Sequence, residues 1–306
     1  MANVATLQLA AAVADAGGLG MVVPTDDTAD MLDRLSAMTS GVFGINFLMP
    51  FIDLGSVEAA ASRARVVEFF YGAPDAGLVG RVHQGGALAA WQVGSADEAR
   101  AAVDVGCDFV VAQGTEAGGH VRGELGLVVL LAEVLDRVDV PVVAAGGIGT
   151  ARAMAAALAA GAGGVRVGTR FVASTESGAH PRYIEELLRA GAADTVLTTR
   201  FSVWWPDAPH RVLRSCVEAA DAFPGDVVGE DHGRVSATPI PRFAPPPPSE
   251  ATTGAIEAMA LYAGQSVGAV RSVQPAAVIV AELANGAERL LRCAAESYPP
   301  PVNAAD

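Results

Sequence analysis

One histidine lies in a glycine-rich loop that directly follows an apolar segment. Asp108–Ala112 has the composition of a buried strand, and Gln113–His120 after it contains three glycines before His120. A strand that ends in such a loop is how an α/β barrel presents a titratable group at its active face. The glycines let the backbone approach a flat or charged ligand, and an imidazole can act as acid or base near neutral pH. Loop histidines are equally often structural, so the pattern alone leaves both interpretations open.

Two further glycine turns follow apolar segments later in the chain. Gly146–Thr150 comes directly after Val140–Ala145, and Thr169 follows the segment Gly164–Gly168. If one more strand precedes the first apolar segment, these turns follow barrel strands seven and eight, where many barrels bind phosphate through backbone N–H groups and a helix N-terminus. The alternative is that the glycines only permit tight turns. Such a site would hold either a phosphorylated sugar-like substrate or flavin mononucleotide (FMN).

Seven apolar, β-rich segments position these loops, and alanine-rich amphipathic stretches such as Asp97–Val105, Glu124–Arg137 and Ala151–Ala160 alternate with them. The alternation predicts parallel βαβ units and an α/β fold, a TIM (β/α)8 barrel. The segments are Leu19–Val23, Phe43–Leu48, Val66–Tyr71, Leu88–Val93, Phe109–Gln113, Val140–Ala145 and Gly164–Gly168. Asn46, Gln92 and Gln113 stand at or near the carboxyl ends of three of them, where their amides could surround one ligand.

An eighth strand is needed to close such a barrel, and we expect the first one to be missing. Thr6–Ala16 already has a helical pattern, which leaves little chain for a strand before it. The sequence therefore predicts a start site upstream or, alternatively, closure by 195–201. We expect the barrel domain to span 1–203. A small helical cap should follow over 204–297, with helices at 211–222, 251–263 and 275–292 and a proline-rich linker at 242–250, and should return to the barrel before a frayed tail at 298–306.

Composition excludes several classes of function. All 20 basic residues are arginines, so lysine Schiff-base chemistry, including pyridoxal phosphate enzymes, and P-loop nucleotide binding are excluded. A net charge of −14 argues against nucleic acid and anionic membranes as partners. Three separated cysteines without metal-ligand spacing suggest reduced thiols, and neither a membrane span nor a signal peptide is indicated. We therefore expect a cytoplasmic protein without a metal, and its apolar helices permit a homodimer.

Taken in chain order, seven motifs resemble the nitronate monooxygenase family, formerly called 2-nitropropane dioxygenases. Its fold is shared by the flavin-dependent enoyl-acyl-carrier-protein reductases. The motifs are Ala14–Gly20, Phe43–Asn46, Gln113–His120, Ala144–Gly149, Val167–Phe171, Ala179–Pro181 and Tyr262–Gly268. The resemblance covers nearly the whole chain. It implies one FMN, bound non-covalently at the mouth of a TIM barrel.

The resemblance also implies roles for individual residues. His120 matches the family's active-site histidine, which would take the α-proton of a nitroalkane or bind the anionic nitronate, while dioxygen completes the oxidation to a carbonyl compound and nitrite. Tyr262 and Gln265 match a motif that approaches the active site and would shape the substrate pocket. The expected FMN-binding residues are Asn46, Gln92, Gln113, Gly118, Gly119, Gly146, Gly147, Gly168, Thr169 and Gln265.

The sequence departs from the family pattern at three places, which bear on the residue roles that the resemblance implies. The family's first strand ends in an Ala-Pro-Met-like turn beneath the flavin, and here only Met1-Ala2 could correspond to it. Many relatives carry a lysine where Gln92 stands, and a neutral amide cannot balance negative charge on reduced flavin. Arg122 follows His120 closely and either recognises a substrate carboxylate or is simply solvated.

Other histidines and two tryptophans have structural explanations. His180, in an Ala-His-Pro turn, is expected to cap or brace a helix, and His210 to anchor the cap. Trp204 and Trp205 are expected to pack between cap and barrel, with a roof over the pocket as the alternative.

The sequence leaves four functions open. The first is FMN-dependent oxidation of nitronates. The second is an NAD(P)H-dependent FMN reductase of enoyl thioesters or quinones on the same fold. A flavin-free lyase or isomerase of sugar phosphates, and a homologue that binds a flavin or partner without catalysis, complete the set.

Overall fold

The computed structural model describes residues 4–233 and 236–297. Thirteen strands occur in this part of the chain. They are β1 (Gly20–Val22), β2 (Phe43–Leu48), β3 (Val66–Phe70), β4 (Leu88–Val93), β5 (Phe109–Gln113), β6 (Gly119–His120), β7 (Val142–Ala145), β8 (Gly164–Arg166), β9 (Thr195–Thr198), β10 (His210–Leu213), β11 (Val227–Asp231), β12 (Thr238–Pro241) and β13 (Thr252–Gly254).

Eleven α-helices accompany these strands in the described residues, together with four short 3₁₀ turns. The helices are α1 (Leu7–Asp15), α2 (Thr28–Met38), α3 (Leu54–Ala61), α4 (Ala76–Gly85), α5 (Ala96–Asp104), α6 (Leu127–Leu135), α7 (Ala151–Ala159), α8 (Thr169–Val172), α9 (Pro181–Arg189), α10 (Arg214–Ala222) and α11 (Ala276–Ser297). None of them has the length and apolar character needed to cross a membrane.

One curled parallel sheet forms the centre of the fold, in the order β1-β2-β3-β4-β5-β7-β8. All seven predicted strands are confirmed, with small changes at their ends. Every residue of β3 is buried, as expected for a strand with crossover helices on its outer face and the barrel interior on its other face. Parallel pairing brings the carboxyl ends of all seven strands to one edge, which is where the predicted ligand residues lie.

The sheet is a TIM-barrel-like half-barrel, which confirms the predicted fold class. Within the described residues, no strand pairing joins β1 to β8. The alternative prediction, that 195–201 closes the barrel, is wrong. Residues of β9 instead pair antiparallel with β10, in a separate sheet with the order β6-β10-β9. Strand β9 pairs with β10 rather than with the barrel sheet, because the two strands align antiparallel over four residue pairs.

The residues after 204 form a mixed structure rather than a purely helical cap. β11, β12 and β13 make a three-stranded antiparallel sheet. The expected helix at 251–263 is wrong, because Thr252–Gly254 pairs with β11 and only a 3₁₀ turn, Ile256–Ala258, follows. Helices at 214–222 and 276–297 do occur, the former preceded by β10. The predicted tail, 298–306, lies outside the described residues, and the proposed domain boundaries stay predictions.

Helix α11 returns to the barrel, where it packs on α7 and α1. The ideal Cβ position of Gly286 lies 2.5 Å from the Cβ of Ala151, so the α11 and α7 backbones approach closely. Leu9 of α1 packs in one buried cluster with Ile279 and Leu283 of α11. The last described helix thus covers the outside of the helix that follows the first predicted phosphate turn.

Candidate functional site

His120 is held by main-chain contacts on both sides. In the antiparallel pair β6-β10, His120 stands opposite His210. The side-chain Nε2 of Gln113, at the end of β5, donates a hydrogen bond of 3.0 Å to the His120 carbonyl oxygen. Gly119 has a φ of 82°, a left-handed conformation that favours glycine. The loop therefore places the imidazole in a defined position at the carboxyl edge of the sheet.

Aromatic side chains surround this imidazole, and we call His120 with these neighbours the aromatic cluster. The Trp205 ring stacks on His120, with 4.0 Å between ring centroids and 23° between planes. The other three members are Tyr71, His210 and Tyr262, whose ring centroids lie 5.9, 5.3 and 5.8 Å from that of His120. Trp205 also makes an edge contact with Phe51, so the predicted packing between cap and barrel is present for Trp205, whereas Trp204 is 53% exposed.

Burial keeps His120 neutral. Desolvation, with a smaller contribution from the positive charge that His210 can carry, lowers the pKa of the imidazole from its usual 6.5 to about 3. The Nε2 atom of His120 is buried and has no hydrogen-bond partner, and the same is true of the Gln113 side-chain oxygen, Oε1. Two unpaired polar atoms at one edge of a sheet are costly unless a ligand pairs with them.

A second group of polar side chains lies at the same edge of the sheet, and all its members are hydrogen-bonded. Asn46 donates from Nδ2 to the Glu68 carboxylate at 2.6 Å. Arg166 forms an ion pair with the same carboxylate oxygen and donates to Gln92 Oε1 at 2.9 Å. We call Asn46, Glu68, Gln92 and Arg166 the paired cluster. The Glu68 side chain is 4% exposed and that of Arg166 30%, so the cation is nearer to solvent.

The turn after β7 has the geometry of an anion-binding loop. Gly146 and Gly147 have φ values of 108° and 69°, which favour glycine. Gly147 and Gln265, two of the predicted FMN ligands, line the same cavity of about 490 Å³. Thr150 caps α7 at this cavity, and the exposed Arg271 also lines it. The helix dipole and the Arg271 guanidinium favour a bound anion, and the Glu282 carboxylate that also lines the cavity is paired with Arg170.

Other predicted phosphate residues have different surroundings. The Thr169 hydroxyl accepts a hydrogen bond from the backbone N–H of Gly264. Gly168 begins the four-residue helix α8, and neither residue lines that cavity. Gly118 was expected to let its loop pass close to the flavin, but its ideal Cβ position lies 2.4 Å from the Gly264 nitrogen. Its small size therefore permits contact with another backbone segment.

The two predicted substrate-pocket residues are already engaged. The Tyr262 hydroxyl donates to the Pro245 carbonyl at 2.6 Å, and burial raises the pKa of this phenol. Its ring still belongs to the aromatic cluster. Arg122 forms an ion pair with Glu98 and its guanidinium lies 6.0 Å from the centre of the Tyr71 ring. It is therefore neither simply solvated nor a free receptor for a carboxylate.

Sequence reasoning missed Glu68 and Arg166 and assigned His210 only to the cap. Both charged residues stand inside apolar strand segments, Val66–Phe70 and Gly164–Gly168, and a charge within a buried strand was the available signal. His210 is fully buried; its Nε2 accepts a hydrogen bond from the Phe201 backbone N–H, and its Nδ1 donates one to the Ala208 carbonyl. The expectation for His180 is confirmed, because its Nδ1 accepts from the Arg182 N–H at the start of α9.

The fold and the site together define a TIM-barrel-like α/β protein with a ligand site at the carboxyl ends of its strands. The chain belongs to the nitronate monooxygenase family, whose model matches residues 55–286. The family consists of flavin-dependent oxidoreductases. The resemblance seen in the sequence is thereby confirmed.

Individual relatives fall into two groups by name. The chain is 33% identical to nitronate monooxygenase npaC of Metarhizium robertsii, over 92% of this chain and 88% of that protein. It is 37% identical to (3aS,4S,5R,7aS)-5-hydroxy-7a-methyl-1-oxo-octahydro-1H-indene-4-carboxyl-CoA dehydrogenase of Mycobacterium tuberculosis. That match covers 70% of this chain and 61% of the dehydrogenase, so the chain spans less than two thirds of that relative.

Solved structures fall into the same two groups. FabK from Thermotoga maritima has a TM-score of 0.78 and 30% identity, covering 97% of this chain and 94% of FabK. Nitroalkane oxidase from Streptomyces ansochromogenes has a TM-score of 0.71 and 31% identity, with 95% of each chain covered.

Proposed function

We propose that this protein binds FMN at the carboxyl edge of its sheet and oxidises alkyl nitronates with dioxygen to carbonyl compounds and nitrite. The observation that carries the proposal is the pair of unpaired buried atoms, His120 Nε2 and Gln113 Oε1. The two residues are in direct contact, because the Gln113 side chain donates a hydrogen bond to the His120 carbonyl. A ligand with both hydrogen-bond donors and acceptors would satisfy them.

The described residues fit an FMN. The Gly146-Gly147 turn, the N-terminus of α7 and Arg271 supply an anion-binding cavity for the phosphate. Asn46, Gln92 and Gln113 supply buried amides at the same edge for the polar side of the ring. When bound there, FMN supplies the electron acceptor for oxidation of the substrate. Gly168 and Thr169 remain proposed contacts for the phosphate through their backbone.

His120 is better suited to bind a nitronate than to deprotonate a nitroalkane. With a pKa of about 3 it is neutral at pH 7, so it has little driving force for taking a proton. A neutral imidazole can donate a hydrogen bond to an oxygen of the nitronate anion, and the negative charge of the nitronate would raise the imidazole pKa. The stacked Trp205 holds the ring orientation. We therefore propose nitronates as the efficient substrates and neutral nitroalkanes as slow ones.

Anaerobic titration of the FMN-loaded protein tests this function. Propionate 3-nitronate should bleach the flavin absorbance without pyridine nucleotide, and oxygen should restore it with release of nitrite. His120→Asn should retain FMN and lose about 10²-fold in kcat/KM for the nitronate, a typical magnitude for a hydrogen bond to a charged transition state. Unchanged kinetics in this variant would remove His120 from the mechanism. Failure to bind FMN would favour a flavin-free sugar-phosphate lyase or isomerase.

The relatives favour a second candidate, an oxidoreductase of acyl thioesters. The chain is 37% identical to a carboxyl-CoA dehydrogenase and structurally similar to FabK. The aromatic cluster offers an apolar wall that would suit a cyclic acyl group. Bleaching by NADPH or by an alicyclic acyl-CoA, with no response to nitronate, would establish this reading. Retention of flavin with no response to any of the three would indicate a non-catalytic homologue.

A further inference from the structure

We propose that the Glu68–Arg166 ion pair sets the redox potential of the bound flavin, with Arg166 supplying the positive charge that stabilises its reduced, anionic form. The inference rests on the proposed binding of FMN but not on the nitronate as substrate. It assigns Arg166 as a positioning and charge-balancing residue of the site.

The ion pair is connected to both amides that we place at the flavin ring. Glu68 accepts from Asn46, and Arg166 donates to Gln92. These hydrogen bonds determine which atom of each amide group, the oxygen or the nitrogen, is left to bind a ligand. Within the described residues, no hydrogen bond occupies Asn46 Oδ1 or Gln92 Nε2, so one acceptor and one donor remain. The polar edge of a flavin ring presents N–H and carbonyl groups, which match this set.

Depth within the sheet determines the sign of the field at the ring. Arg166 is the last residue of β8, whereas Glu68 lies two residues before the end of β3. The exposed fractions, 30% for Arg166 and 4% for Glu68, give the same order. The cation is therefore nearer to the open edge than the anion, and the pair presents its positive end to a ligand there. Because the chain contains no lysine, a cation at this position must be an arginine or a histidine.

Charge in a water-poor site acts strongly on an electron acceptor. Two-electron reduction of a flavin places negative charge on the ring, and a nearby guanidinium stabilises that product. Removing Arg166 alone would leave the buried Glu68 carboxylate unbalanced, which reverses the sign of the local charge. Removing the charge of Glu68 alone would leave the cation unbalanced. The two changes should shift the potential in opposite directions.

The test compares Arg166→Gln, Glu68→Gln and the double variant as FMN-loaded proteins. Two readouts apart from turnover are the midpoint potential and the affinity for sulfite, which adds to oxidised flavin and likewise places negative charge on the ring. Arg166→Gln should weaken sulfite binding at least tenfold and lower the potential by about 30 mV or more, since tenfold equals about 30 mV for two electrons. Glu68→Gln should strengthen sulfite binding and raise the potential.

Controls separate charge from structure. Arg166→Lys keeps the charge and should stay within about threefold of the parent, while Arg100→Gln removes an exposed arginine paired with Asp104 and should change nothing. The double variant should lie between the single ones, and it remains informative if either single variant folds poorly, because it leaves no unpaired charge.

Each outcome is decisive. Shifts of the same sign in both single variants, or none, would overturn the proposal even if nitronate oxidation is normal. Opposite shifts without nitronate oxidation would support the ion-pair role and reject the substrate. A protein that cannot be loaded with FMN would overturn both.

Discussion

The paired cluster, within the parallel sheet, and the aromatic cluster, beside the carboxyl edge of that sheet, are organised in opposite ways. In the paired cluster, a buried carboxylate, a guanidinium and two amides satisfy one another without a ligand. At the aromatic cluster, the Nε2 atom of His120 and the Oε1 atom of the adjoining Gln113 are buried without a partner, and the histidine is neutral. The first arrangement is complete before anything binds. The second retains the cost of unpaired polar groups, which a ligand would remove.

This difference suggests a division of work. A preorganised charge needs no rearrangement when the electron distribution of a ligand changes, so the paired cluster suits a permanently bound group. Buried atoms that lack a partner suit a molecule that enters and leaves, because its binding would pair them.

The largest effect is expected for Gly147→Asp. A carboxylate about 4 Å from a phosphate costs about 4 kcal/mol per unit charge at an effective dielectric of 20, so FMN should bind roughly 1000-fold more weakly. Gly147→Asn is the matched control, since it has the same shape and also tolerates a left-handed backbone. Fluorescence titration with FMN measures both. Equal affinities in the two variants would place the phosphate elsewhere.

Gly118→Ala should destabilise the folded protein by about 1–3 kcal/mol, because the new methyl group meets the backbone of Ala263 and Gly264. The His120 loop would shift, while the paired cluster would not. Gly80→Ala, in α4, provides the control: its Cβ position has no atom within 4 Å, so this change should stabilise by about 0.5–1 kcal/mol. Urea unfolding measures both. A stable Gly118→Ala protein would show that the loop has room to move.

The pH dependence of stability should change in His120→Asn. Native His120 has a pKa of about 3 and the unfolded chain about 6.5, so between these values only the unfolded chain is protonated there. The free energy of unfolding therefore decreases as the pH is lowered below 6.5, by up to about 1.4 kcal/mol per pH unit from this residue. The variant should lose this slope and retain that of His210, whose pKa is also lowered by burial.

Urea unfolding at pH 5, 6 and 7 measures the slope, and above pH 7.5 the parent and variant should run parallel. Identical slopes at acid pH would mean that His120 is more accessible to water than its burial implies.

The smallest effect is expected for Arg122→Gln. Because the Arg122 guanidinium already pairs with Glu98, it is not free to bind a substrate carboxylate. The ratio of kcat/KM for propionate 3-nitronate to that for an uncharged alkyl nitronate should change less than about threefold. A drop of tenfold or more would restore Arg122 as the carboxylate receptor.

The parts of the fold that could be predicted are those that depend on the composition of short segments of the chain. Each strand and its following glycine turn, including Gly146-Gly147 and the loop before His120, follow from composition within about ten residues. The helix expected at 251–263 failed because pairing of Thr252–Gly254 with β11 outweighed the local alanine pattern.

The parts of the site that could not be predicted depend on contacts between distant residues. Glu68 and Arg166 are 98 residues apart, and nothing local indicates that their side chains meet. The stacking of Trp205 on His120 likewise depends on how β10 pairs with β6. The roles of the ligand residues, the homodimer and the cytoplasmic location stay predictions.

Helix α11 has a consequence for the order of folding during synthesis. Leu9 of α1 is buried in a cluster with Phe171 of α8 and with Ile279 and Leu283 of α11, so part of its cover is synthesised much later than Leu9 itself. Parallel strands from β1 to β8 can pair earlier, but α1 and the outer face of α7 stay uncovered until α11 arrives. The nascent chain must therefore keep these apolar faces of α1 and α7 in solution until α11 has been synthesised, a period in which chaperones would bind it.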